Sequence, residues 1–308
     1  MTVPVRLHAV GMRSGTDAAA NRVAAVAAVE DAVGPGSERG TALVVLPEYA
    51  AAFDPRGVTP ALVEPLDGPF VGALRAATAG RDAVVVAGTT LPGSHPDRAV
   101  NAVVVVRDGD VVATYRKVHL YDAFGHRESD RLEPGPADAE PVVVRVGGLT
   151  VGVMTCYDLR FPEVGRRLVD AGADVLAVPA AWADGEHKAD HWTTLLRARA
   201  IESTAYVVGA AQQGRGVTGV SCVVDPLGVV LAEAGGRGAD DDPRARTTAV
   251  ASLDPDVVAA VRERNPSLAN RRYRVVPGAP GAAVPPAERG VPSGSGGPGA
   301  PRTQRGDG

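Results

Sequence analysis

Apolar positions along the chain collect into short Val-rich runs bounded by Gly, Pro or charged residues. Runs of this length and composition predict strands, here at 3–10, 42–47, 83–89, 100–106, 111–115, 142–146, 149–155, 174–179, 205–211, 219–225, 228–232 and 247–253. Between them, four stretches predict helices. Thr16 to Val33 is Ala-rich, with Asp17 in its first turn and Gly34 closing it; the others run from Pro69 to Gly80, from Pro162 to near Gly172, and from Asp190 to Ser203. Asp108-Gly109 separates two of the strands, and because such a turn needs positive φ, those strands should pair antiparallel. Gly147-Gly148 joins 142–146 to 149–155 in the same manner. Strands alternating with helices and interrupted by hairpins predict an α/β fold with one or two mixed sheets covered by helices.

A chain of 308 residues can be one large α/β domain or two ordinary ones. One domain over 1–276 is the preferred reading. From Pro277 to Gly308 half the residues are Gly or Pro and hydrophobic residues nearly vanish, so 277–308 is expected to be a disordered tail. A net charge of −4 without a basic block argues against nucleic-acid binding, which draws on clustered Lys and Arg. No segment reaches the ~20 apolar residues of a membrane span, and Met1-Thr-Val-Pro-Val-Arg-Leu-His8 lacks the features of a signal peptide, so a cytoplasmic protein is expected. Cys156 and Cys222 are too few for a disulfide framework, and free thiols are the default.

Candidate chemistry sits where strands end. Cys156 follows an apolar strand and precedes a helix in Val151-Gly-Val-Met-Thr-Cys-Tyr-Asp-Leu-Arg-Phe-Pro-Glu163, a place from which a chain can present a nucleophile. Glu48 follows the strand of Thr41-Ala-Leu-Val-Val-Leu-Pro-Glu48, and Lys117 ends another; lysine is scarce here, only Lys117 and Lys188. A cysteine needs a base or a cation to become a thiolate. None of the six histidines occupies a strand end facing Cys156, whereas a carboxylate beside a lysine can take the thiol proton while the ammonium stabilises an oxyanion.

Three segments, Leu46-Pro-Glu-Tyr49, Tyr115-Arg-Lys-Val-His-Leu-Tyr-Asp122 and Gly152 to Glu163, carry a resemblance to the nitrilase superfamily of carbon–nitrogen hydrolases, whose signature is a Glu, Lys and Cys trio in that order. Ala180-Ala-Trp182, His191-Trp192 and Arg197-Ala-Arg-Ala-Ile-Glu202 extend it, so that it spans about residues 3–274. The resemblance implies an αββα sandwich, a homodimer with the site near the interface, and a cofactor-free amidase with Glu48, Lys117 and Cys156 as catalytic residues. It also implies a second glutamate, matched by Glu128 in His126-Arg-Glu-Ser129, that positions lysine and substrate. The wording is most similar to the Nit branch, amidases acting on ω-amides of 2-oxo acids and on deaminated glutathione. That implies a small, carboxylate-bearing amide as substrate, a thioester intermediate and release of ammonia.

Around the trio, Tyr49, Phe53, Tyr121, Tyr157 and Trp182 are candidate pocket walls, with a core role open for each. Arg160 can clamp a substrate carboxylate in bidentate geometry or form an ion pair with Asp158 or Glu163. Cys222 follows strand alternation and reads as core. His187 and His191 have the spacing of a metal pair on a helix but no third ligand with a known spacing, so no metal is expected. His119 is expected to orient the lysine loop by hydrogen bonds. Two further readings stay open: a nitrilase or N-carbamoyl amidohydrolase, and a catalytically silent member that binds a partner.

Overall fold

The computed structural model describes residues 4–34, 40–236 and 247–278. Apart from Pro277 and Gly278, the predicted tail lies outside the described residues. The elements in chain order are β1 (Val5–Val10), α1 (Ala18–Val33), β2 (Ala42–Val45), α2 (Pro69–Thr78), β3 (Ala83–Pro92), β4 (Ala99–Arg107), β5 (Asp110–Arg116), β6 (Val143–Val146), β7 (Leu149–Val153), α3 (Pro162–Asp170), β8 (Val175–Ala180), α4 (Lys188–Ser203), β9 (Tyr206–Ala211), β10 (Val220–Val224), β11 (Val230–Gly235), β12 (Thr248–Leu253) and α5 (Pro255–Arg264).

The strands form two six-stranded mixed sheets, ordered β12-β1-β2-β3-β4-β5 and β11-β10-β9-β8-β7-β6. Side chains alternate across a strand, which explains why the Val runs are continuous instead of alternating with polar residues. In β2, Leu43 and Val45 enter the core between the sheets, while Ala42 and Val44 enter a second core beneath α1 and α2. In β8, Val175 and Ala177 join the same inter-sheet core, and Leu176, Val178 and Ala180 pack against a third core that includes Leu168 of α3 and Trp192 and Leu196 of α4. Three apolar layers between four layers of structure make the αββα sandwich that the family resemblance implies, and settle the number of mixed sheets at two. Each fully buried Val or Leu contributes about 1.5–3 kcal/mol relative to exposure.

Differences from the sequence reading lie at element ends. Asp17 is the N-cap of α1, its carboxylate accepting from the N–H groups of Ala19 and Ala20, and so stands before the first turn. Helix α4 begins at Lys188, two residues earlier than predicted. Helix α5 was not predicted, although Asp254 caps it and Pro255 occupies its first position. The predicted Asp-Gly turn is present between β4 and β5, with φ of 48° at Asp108 and 79° at Gly109.

Candidate active site

Parallel pairing sets where the site can be. β1, β2 and β3 run in one direction, and so do β7, β8 and β9. β5 shares the direction of β3 because each is antiparallel to β4. Glu48 lies just beyond β2, Lys117 just beyond β5 and Cys156 just beyond β7. Carboxyl ends of strands in the two stacked sheets therefore deliver all three groups to one place.

Lys117 Nζ, wholly buried, donates to Glu48 Oε1 at 2.9 Å and to Glu128 Oε2 and Oε1 at 2.8 and 3.1 Å. Glu48, 1% exposed, also accepts from Asn101 Nδ2 at 2.7 Å and, at Oε2, from the backbone N–H of Ala181 at 2.7 Å. Its own backbone carbonyl accepts from Gln212 Nε2. The Cys156 thiol lines the same cavity as Glu48, near enough for the charges of Glu48 and Lys117 to act on it. Glu128 further accepts from Tyr49 Oη at 2.9 Å and from the backbone N–H of Tyr121 at 2.7 Å. The predicted acid, amine and thiol thus converge, and Glu128 joins them.

Electrostatics follow from this cluster. Burial pulls the Lys117 pKa down, but Glu128 and Glu48 outweigh it and hold the ammonium well above the usual lysine value. For Cys156 the balance is opposite: burial and the Glu48 charge push the thiol well above its usual value, and Lys117 only partly offsets them. One cation shared by two carboxylates leaves no surplus positive charge for a resting thiolate.

Backbone strain marks the same spot. Cys156 has φ of 47° and Tyr49 φ of 59°, left-handed values that cost a non-Gly residue about 1 kcal/mol or more. Residues Cys156–Arg160 form a 3-10 turn closed by a capping box between Thr155 and Asp158. The buried Asp158 carboxylate also accepts from Tyr115 Oη at 2.7 Å and from the backbone N–H of His119 at 3.2 Å, and contacts His119 Nδ1 at 2.8 Å. It ties the turn carrying Cys156 to the segment carrying Lys117. At Gly88 an added Cβ would stand 2.4 Å from Glu48 Cα, so glycine there permits the close approach of β3 to the Glu48 segment.

A cavity of about 580 Å³ opens on the cluster, lined by Glu48, Glu128 and Cys156 and by all six predicted wall and clamp residues, Tyr49, Phe53, Tyr121, Tyr157, Arg160 and Trp182. Phe53 stacks 6.0 Å from Tyr49. Tyr157 meets Tyr121 edge-on at 5.0 Å. Among the described residues Arg160 makes neither ion pair considered for it, because Asp158 is engaged by Tyr115, His119 and Thr155. Instead Arg160 lies over Trp182 at 5.0 Å and meets His191 Nδ1 at 3.2 Å. His119 bonds Asp158 and stacks on Phe161 at 3.7 Å. Cys222 is buried in the core beneath α4, its thiol pushed up to about 12 by burial. Among the described residues no group of three His, Cys, Asp or Glu side chains could hold a metal ion, and no helix is long and apolar enough to cross a membrane.

Sequence reasoning missed Asn101, Gln212, the Ala181 N–H, Asp158 in its linking role, and Lys188. A lone Asn in the apolar run Ala99-Val-Asn-Ala-Val-Val-Val-Val106 was a readable signal, since a buried polar side chain needs a partner. The backbone donor had none.

A family model described as carbon–nitrogen hydrolase matches residues 6–263. Deaminated glutathione amidase of Escherichia coli O157:H7 is 38% identical over 239 residues, covering 77% of this chain and 87% of that protein. The solved structure of XC1258 from Xanthomonas campestris, a CN-hydrolase superfamily protein with an arsenic adduct in its active site, is similar with a TM-score of 0.72 and 26% identity, covering 89% of this chain and 99% of the other. A mutant amidase from Nesterenkonia sp. AN1, bearing the acetamide moiety of fluoroacetamide on its active-site cysteine, gives a TM-score of 0.68 at 25% identity, covering 88% of this chain and 94% of that one. The chain belongs to the carbon–nitrogen hydrolase family, within the nitrilase superfamily, and is a carbon–nitrogen hydrolase of the amidase kind.

Proposed function

We propose that the chain hydrolyses the amide bond of a small, carboxylate-bearing amide, of the ω-amide or deaminated-glutathione type, through a thioester on Cys156. The observation that carries this reading is the Lys117 ammonium bonded to both Glu48 and Glu128 beside a thiol on a strained turn. Because the thiol pKa is raised, the thiol is protonated at rest and must lose its proton as it attacks. Glu48 takes that proton while sulfur adds to the amide carbon. The oxyanion is held by Lys117 and by the N–H of Tyr157, which sits in the first turn of the 3-10 segment, where N–H groups lack intrahelical partners.

Glu48 then gives the proton to the departing nitrogen and ammonia leaves. Water, deprotonated by Glu48, attacks the thioester; the carboxylic acid departs and the thiol regains its proton. Glu128, fixed by Tyr49 and the Tyr121 N–H, keeps Lys117 charged and in place. Arg160 is the group for the substrate carboxylate. The name of the Escherichia coli relative supports this substrate class, and the adduct on the Nesterenkonia amidase supports a cysteine acyl intermediate.

The reading extends to assembly. Ile201 near the end of α4 packs against the turn at Gly228, where Leu227 and Val229 are also exposed, and this apolar patch supports a homodimer. Light scattering on the purified protein measures it.

Ammonia release from a panel of carboxylated amides, nitriles and N-carbamoyl compounds tests the activity, with mass spectrometry on slow substrates to trap the acyl enzyme. Wild type should release ammonia from carboxylated amides and gain the acyl mass, and Cys156→Ala should do neither. An equal adduct on Cys156→Ala would refute the nucleophile. Turnover of nitriles alone, or carbon dioxide from carbamoyl compounds, would move the enzyme to those reactions.

A further inference from the structure

Of 32 Lys and Arg residues only two are lysines, and the second, Lys188, lines the wall of the Cys156 cavity. The reaction described above gives it no task. Lys188 opens α4, donates from Nζ to Tyr121 Oη at 2.8 Å and stands 3.5 Å from the centre of the Phe124 ring. Arg160 faces the same ring at 5.9 Å. Arg160 Nε is buried and makes no hydrogen bond among the described residues, although a buried donor ordinarily has an acceptor.

Carboxylates lining this cavity are occupied elsewhere. Glu48 and Glu128 hold Lys117, Asp54 pairs with Arg56 and Asp130 with Arg127, and Asp184 has an interaction of its own. Among the described residues neither Arg160 nor Lys188 hydrogen-bonds or pairs with a carboxylate. Burial and the neighbouring Arg160 charge both lower the Lys188 pKa. Two unneutralised cations around one aromatic ring repel each other, and an anion between them relieves that repulsion.

We infer that Lys188 and Arg160 form a two-cation subsite for the anionic end of the substrate, and that Lys188 selects amides bearing a carboxylate over neutral ones. The inference rests on the amidase reading for where the scissile bond lies, while the subsite is read from the cations. A carboxylate on Arg160 alone is held by one planar fork. Lys188 adds a second, more mobile donor across the cavity, so the anionic end is gripped from two elements, the nucleophile turn and the start of α4.

Two measurements test it on wild type, Lys188→Met, Lys188→Arg and Tyr121→Phe. In the first, kcat and KM are determined for glutaramate and for its neutral analogue valeramide. The preference for glutaramate, expressed as the ratio of kcat/KM values, should fall about ten- to a hundredfold in Lys188→Met, mainly through KM, as expected for loss of a charged hydrogen bond. Lys188→Arg should restore most of it. Tyr121→Phe, which removes the hydroxyl partner but leaves the ammonium, should keep the preference.

In the second, glutarate and neutral glutaramide are titrated calorimetrically. Wild type should bind glutarate more tightly, and Lys188→Met should lose about tenfold or more of that difference. Lys188→Gln, which can still donate to Tyr121, replaces the Met variant should that fail to fold. Equal losses on charged and neutral amides, or no preference of wild type for glutarate over glutaramide, overturn the subsite. Absence of ammonia release by wild type would overturn the amidase reading, and the titrations would still decide the subsite.

Discussion

Glu48 has two opposed effects on Cys156. As the acceptor of the thiol proton in the proposed reaction it makes attack possible, yet its charge is, after burial, the largest influence holding that proton on sulfur. Glu48→Gln separates the two. Glu128 still holds Lys117 charged, so Lys117 faces the thiol with less opposition and the thiol pKa should fall. Alkylation by iodoacetamide at pH 8 should then be about three- to tenfold faster than in wild type, while amide turnover drops ~10²–10⁴-fold with the loss of the base. Alkylation slowed along with turnover would show that Glu48 activates the thiol at rest. At this scale the sequence was informative because the trio are charged or nucleophilic residues directly after apolar strands. It was silent where partners are backbone atoms, as with the Ala181 N–H, or depend on the packing of distant segments, as with Gln212 against Glu48.

Catalytic geometry at the element scale depends on joining two sheets. Asp158 bridges them, accepting from Tyr115 at the end of β5, from the His119 N–H beyond it, and from Thr155 in the nucleophile turn. Asp158→Asn replaces one carboxylate oxygen by a donor facing donors. Leaving buried donors unsatisfied costs about 1–3 kcal/mol, more where a charge was involved, so the urea midpoint should fall by a corresponding amount. Because Lys117 and Cys156 flank this bridge, kcat should fall further than KM rises; a stability loss with unchanged kcat would make Asp158 a purely structural acceptor. Sequence periodicity could not show this bridge. It showed which runs are strands, and the Asp-Gly turn even paired β4 with β5, but the placement of the end of β5 beside the turn that follows β7 depends on the stacking of whole sheets. Helix α5, in contrast, carries a start signal in its own sequence, Asp254 as N-cap and Pro255 at the first position.

Across the whole molecule, burial of groups that ionise at high pH gives the sandwich a direction of pH sensitivity. Cys156, Tyr49 and Tyr115 are held neutral well above their ordinary values, chiefly by burial, and Cys222 is pushed from 9.0 to about 12. Lys117 is held charged well above 10.5. The sign is common to all. At pH above the unfolded value the unfolded chain has lost protons that the folded chain retains, so each group's contribution is complete below its unfolded pKa and declines as pH rises from there to the folded value. Stability should therefore be level from neutral pH to about 9 and then fall by about 1.4 kcal/mol per pH unit for each retained proton, the cysteines acting first and the tyrosines and Lys117 near 10 and above. Urea unfolding in reducing buffer between pH 7 and 11 measures this slope. Cys222→Val, in a core strand and outside the cavity lining, should remove about one proton's share of the decline above pH 9, and an unaltered slope in that variant would mean that the Cys222 thiol ionises equally in both states.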